Sequence, residues 1–130
     1  MSKDLLSSIF ELAKKKEYID DELINYIDEI FTEKAVKVIE VIKRGITKNI
    51  FKPSNRIIWT AMGENQVHLI YPKIYCSCQD FYKSVVIKRE RDFCKHILAQ
   101  IISLALNNYK INETEDTEFD NIIEDLKLKI

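Results

Sequence analysis

The sequence predicts an α+β domain: amino-terminal helices, a three-stranded antiparallel meander, a cysteine-containing knuckle leading into a buried helix, and an amphipathic carboxy-terminal helix. Three observations carry this. Only two glycines and two prolines punctuate 130 residues, which favours long helices and few tight loops. The apolar period changes from helical spacing to short β-rich runs after Gly45. And all three cysteines, with one of the two histidines, fall into a single pattern, Cys76-Ser77-Cys78 and then, after a spacer of fifteen residues, Cys94-Lys95-His96.

From Asp4 to about Glu17, Leu5, Leu6, Ile9, Phe10 and Ala13 recur at helical spacing, with Ser2 as a cap. Asp20 or Asp21 caps a second helix whose stripe is Leu23, Ile24, Ile27, Ile30 and Phe31. A third, capped by Thr32, runs to Arg44 with Ala35, Val36, Ile39 and Ile42 on one face and Gly45 as a left-handed stop. The spacing leaves open whether helices two and three are continuous. Ile46 to Lys52, Arg56 to Met62 and Gln66 to Tyr71 are rich in Ile, Val, Thr, Trp and Tyr, and Pro53-Ser54-Asn55 and Gly63-Glu64-Asn65 separate them as turns. Pro72 ends the third strand. Gln79 or Asp80 opens a short helix through Phe81, Val85 and Val86, and a longer one runs from about Asp92 to Leu106 with Phe93, Ile97, Ile101 and Leu104 on its buried side. Asn112 to Asp116 is an acidic linker. Residues 117–128 set Phe119, Ile122, Ile123 and Leu126 at helical spacing, as a face docked on its own domain or offered to a partner.

At this length the chain is one domain's worth, with three segments: a helical region 1–45, a zinc-binding module 46–106, and an acidic linker with the last helix, 107–130. Three cysteines cannot pair off within one chain, and no charged-then-apolar leader precedes Leu5, so a reducing, intracellular compartment is expected: cytoplasm in a prokaryote, nucleus in a eukaryote. The longest apolar runs are too short for a bilayer. Net charge is −4 over residues 1–30, +7 over 31–109 and −4 over 110–130. A basic middle between acidic ends fits an anionic partner, or charges that offset one another within the molecule.

Four soft or borderline ligands in two close pairs suit a tetrahedral structural zinc. Residues i and i+2 on a flat strand stand about 7 Å apart, whereas sulfurs on one zinc need about 4 Å, so Cys76 and Cys78 must lie on a tight turn. Within a regular helix i and i+2 point about 200° apart, so Cys94 belongs at or before a helix start with His96 just inside it. There the helix dipole favours the thiolate that zinc requires. Three thiolates and an imidazole leave the site at charge −1, which nearby Lys83, Lys88, Arg89, Arg91 and Lys95 can balance. Four protein ligands leave no open position for water or substrate, and no Gly-Lys-Ser/Thr phosphate loop is present, so the chain reads as a non-enzyme.

Cys-x-Cys, a spacer, then Cys-x-His opening a helix resembles the SWIM zinc finger. Cys76-Ser77-Cys78-Gln79-Asp80-Phe81 and Cys94-Lys95-His96-Ile97-Leu98-Ala99 are similar to the CSC-x-x-F and CKH-x-L-A blocks of the Shu-complex subclass, with Val85 at the matching apolar position. The similarity covers about residues 71–106, and Gln79 departs from the proline often found after the second cysteine. The resemblance implies one structural zinc on Cys76, Cys78, Cys94 and His96. It also implies an adaptor that partners a RecA-type recombinase or paralogue in homologous recombination and DNA repair. A SWIM protein of transcription or transposition is a further class, and self-association remains open.

Direct single-stranded DNA binding competes with this reading. Lys83, Lys88, Arg89, Arg91 and Lys95 border the knuckle as candidate nucleic-acid or acidic-partner contacts, with Tyr75, Phe81, Tyr82 and Trp59 as candidate stacking faces. Phe81 and Phe93 are, in the blander reading, the core beneath the metal. Redox chemistry at a reactive thiol is a third class, but a redox pair does not explain Cys94-x-His96. His68, alternating with Val67, Leu69 and Tyr71, reads as a half-exposed strand residue in preference to a group behind or replacing a ligand, and Trp59 as core or interface.

Overall fold

A computed structural model describes residues 2–31, 34–63, 66–90 and 93–121. Helix α1 (Ser2–Lys16) buries Leu6, Ile9 and Ala13. Helix α2 (Asp21–Ile30) starts where Asp20 accepts a hydrogen bond from the Leu23 N–H at 2.9 Å, and that bond holds the Asp20 carboxyl below its usual range. Lys16 ties the turn by pairing with Asp20 at 3.2 Å and with Glu22. Helices two and three are separate: α2 ends at Phe31, and α3 (Ala35–Arg44) opens with its first N–H donated to Asp28 Oδ1 at 3.0 Å. The buried stripe of α3 is Ala35, Val38, Val41 and Ile42, rotated from the expected one, and Val36 faces solvent. Both stripes have helical spacing, so only the neighbours decide between them. Gly45 stops the helix as expected, at a positive φ of 122° with ψ 136°, and turns the chain directly into β1 through a backbone few other residues adopt.

Strands β1 (Ile46–Lys52), β2 (Arg56–Met62) and β3 (Val67–Tyr71) form the expected meander, and β4 (Tyr75–Cys76) pairs back on β3. The expected linker at Asn112 to Asp116 is instead largely strand β5 (Lys110–Glu115), parallel to β1, giving the sheet order β4-β3-β2-β1-β5. Its side chains are almost all exposed, so it carries no apolar alternation. It is held by the backbone ladder, by Asn112 Nδ2 donating to Asn49 Oδ1 at 3.2 Å, and by Lys52 near Glu113. β5 thereby covers the β1 edge with a polar strand.

Helix α4 (Lys95–Ala105) lies at the centre, packed against α1, α3 and strands β1 to β4. It is buried on nearly all sides from His96 to Ser103, including the polar Gln100 and Ser103, while the expected core residue Leu104 is its partly exposed corner. The opposite sheet face carries a small core of Phe51, Ile58 and Leu69. The carboxy-terminal segment docks there. Phe119 meets Phe51 edge-on at 4.9 Å under the Arg56 guanidinium, and Asp116 accepts hydrogen bonds from the Ser54 N–H and hydroxyl. Thr32, Glu64, Asn65, Arg91, Asp92, Ile122, Ile123 and Leu126 lie outside the described residues. No helix among the described residues is long and apolar enough to cross a membrane.

Candidate metal centre

The two ligand pairs come from the edge of the sheet and the start of the central helix. Cys76 ends β4 beside Ile70 of β3, facing α4. Ser77 then fastens the turn to β3: its N–H donates to the Leu69 carbonyl at 3.0 Å, and its hydroxyl accepts from the Leu69 N–H at 2.8 Å. With the backbone pinned on both sides, Cys78 bends off the strand toward Cys76. The Phe81 N–H donates to Cys78 Sγ at 3.3 Å, a contact that favours a thiolate. A wide helical segment, Phe81–Ile87, follows with a bond spanning five residues, Lys88 N–H to the Lys83 carbonyl at 2.9 Å.

Cys94 occupies the N-cap of α4 in extended backbone, and His96 is the second residue of the helix, with Nδ1 3.9 Å from Cys94 Sγ. Below them Phe93 stacks on Phe31 at 5.5 Å, and Phe81 is buried against Tyr75.

One ligand atom from each of Cys76, Cys78, Cys94 and His96 lies within 4.8 Å of all the others, and all four residues are buried. That spacing and that donor set fit tetrahedral zinc, whose Zn–S bonds are about 2.3 Å long. No other such cluster occurs among the described residues. The three sulfurs, brought this close, compete for protons. Hydrogen bonding from Cys76 and then Cys94 drives the Cys78 thiol far below the ordinary range, its contact with Cys78 drives Cys76 far above it, and burial pushes Cys94 up to about 12. A divalent ion relieves this by stabilising all three thiolates at once. These four residues would hold the zinc, which supplies cross-linking of β4 to α4.

His68 is half-buried and lies against His96, ring centroids 4.4 Å apart at 42°. Burial, and then the neighbouring His96, push its pKa down. Both histidines line a cleft of about 560 Å³ with Lys37, Glu40, Arg44 and Lys95. The basic set named from sequence is thus divided. Lys83, Lys88 and Arg89 are exposed around the knuckle, while Lys95 turns into the cleft with Lys37 and Arg44 of α3. Those two residues carried no local signal, since only the packing of α3 on α4 brings them there. Of the aromatic candidates, Tyr82 is exposed and Tyr75 half-buried, but Trp59 and Phe81 are core and offer no stacking face.

No family model and no solved structure matches the chain. Curated relatives do. It is 33% identical over 123 residues to the zinc finger SWIM domain-containing protein 7 homolog of Dictyostelium discoideum, covering 92% of this chain and 78% of that protein. It is also 27% identical to zinc finger SWIM domain-containing protein 7 of Mus musculus (92% and 80% covered), and 25% identical to that of Homo sapiens (92% and 87% covered). The likeness spans the helices and sheet as well as the knuckle, and the knuckle is a buried Cys3His tetrad. The chain accordingly belongs to the zinc finger SWIM domain-containing protein 7 family, with a single structural zinc.

Proposed function

We propose that this protein is a non-catalytic adaptor that holds a RecA-type recombinase paralogue and supports homologous recombination and DNA repair. The observation that carries the reading is the closed, buried tetrad in a chain of this family: four protein ligands leave the metal no substrate position, so its role is to hold a surface in shape. The knuckle also exposes Ile74, Tyr82, Val86 and Ile87, apolar groups suited to a protein contact. Any ATP hydrolysis would belong to the partner. We place the adaptor inside the cell, in the nucleus of a eukaryote or the cytoplasm of a prokaryote. The test is a pull-down from its own cells with wild type beside Cys76→Ser. A RecA-type ATPase is recovered with the wild type alone; recovery of transcription or transposition proteins only would move the protein to another SWIM class.

A second reading, direct contact with single-stranded DNA, draws on exposed Tyr82 beside Lys83, with Lys88 and Arg89 nearby and none of the three cations ion-paired among the described residues. It predicts binding that weakens steeply as salt rises and is lost in an Arg89→Glu, Arg91→Glu variant. Purified protein without salt-sensitive binding at micromolar concentration would end it.

A further inference from the structure

We propose that His68 is a positioning residue for the zinc ligand His96, holding the imidazole toward the sulfurs by ring packing. His96 sits one residue inside α4, where its side chain must reach back toward the Cys94 cap, and its other flank borders a cleft of about 560 Å³. An imidazole beside open space has room to rotate away from a metal. His68 occupies that flank, at a ring-to-ring centroid distance of 4.4 Å, and His96 is left only 4% exposed. The two rings come from elements that meet only in the folded molecule. His68 stands on β3 opposite Ala61, on the sheet face that packs against α4 and that also carries Ile70 and Cys76.

The neighbouring hairpin is shaped around the same ring. The Gly63 N–H donates to the Gln66 carbonyl at 2.7 Å, and a Cβ on Gly63 would lie 2.9 Å from His68 Nε2 and 2.8 Å from the Gln66 oxygen. A side chain there would push on the His68 ring, so a residue without one leaves the ring room beside His96. Groups that orient a ligating histidine typically change metal affinity by about 10–100-fold when removed, because the ligand must then be ordered at the moment of binding.

The inference rests on the zinc site and is independent of which partner the adaptor holds. Its test uses the full chain loaded with zinc, in competition with a chromophoric chelator, and the same proteins loaded with cobalt for the visible ligand-field bands. His68→Ala should lose about 10–100-fold in zinc affinity and show altered cobalt bands, whereas His68→Phe, which keeps a flat ring, should stay near wild type in both. Ile58→Val trims the core on the opposite face of the sheet, on a strand that carries no ligand, and should leave both readings unchanged. Wild-type affinity in His68→Ala would overturn the proposal. So would a His68→Phe variant as weak as the alanine, or an equal loss in Ile58→Val. Wild type that takes up no zinc at all would sink the zinc reading itself, and this inference with it.

Discussion

Removing the zinc, by a strong chelator or by Cys94→Ser, is expected to melt at least residues 76–100 and to abolish the wild-type thermal transition. Zinc binding to finger peptides is worth about 10–16 kcal/mol, as large as the whole net stability of a typical domain, about 5–15 kcal/mol. Here Cys76 of β4 and Cys94 at the cap of α4 would share the metal, and α4 is the helix that touches α1, α3 and four strands. The loss therefore reaches the centre of the molecule. The apolar contacts of α1, α2 and α3 can persist as a residual helical core. Without metal, the raised Cys76 and Cys94 thiols are protonated at neutral pH, so zinc uptake releases protons and its apparent affinity falls as pH falls. Circular dichroism and thermal melts before and after chelation measure the effect, alongside metal analysis of the reduced protein. An unchanged transition would contradict a structural site.

Phe51→Ala should have the second largest effect, about 3–5 kcal/mol, with loss of the docked carboxy-terminal segment. Phe51 is completely buried, and with Ile58 and Leu69 it makes the small core on the sheet face away from the helices. Phe119 rests on its edge, so truncation opens a cavity and removes the seat at once. The remaining ties, from Asp116 to Ser54 and from Arg56 over the Phe119 ring, are exposed or partly so and add little alone. Urea unfolding gives the stability change, and proteolysis near residues 116–121 reports the undocking. A variant with wild-type stability and an uncleaved tail would show that this face contributes neither.

Much of the architecture is legible in the chain because it rests on local chemistry. The Asp20 cap and the turns at Pro53-Ser54-Asn55 and Pro72 come from short-range hydrogen bonding and fixed dihedrals, and the strand boundaries from Ile46 to Tyr71 follow β-branched and aromatic runs. The metal centre is legible for a related reason. An i, i+2 pair of ligands fits a zinc only where the chain turns or a helix starts; Cys76 closes β4 with Cys78 on the bend just after it, and Cys94 caps α4 with His96 inside its first turn. Strand β5 escaped because it is an exposed edge whose partner, β1, lies more than fifty residues away, and its Asn-Glu-Thr-Glu run has the composition of a linker. The buried stripe of α3 escaped because Ala35, Val38, Val41 and Ile42 compete with an equally periodic alternative.

By itself, then, the sequence determined the α+β class, the meander and the four residues of the metal site, since caps, turns, strand periods and ligand spacing act over a few residues. Tertiary structure alone decided which faces meet. It brought Phe119 onto Phe51, turned Lys95 toward Lys37 and Arg44, and set His68 against His96, because side chains distant along the chain become neighbours only when the sheet and α4 pack together.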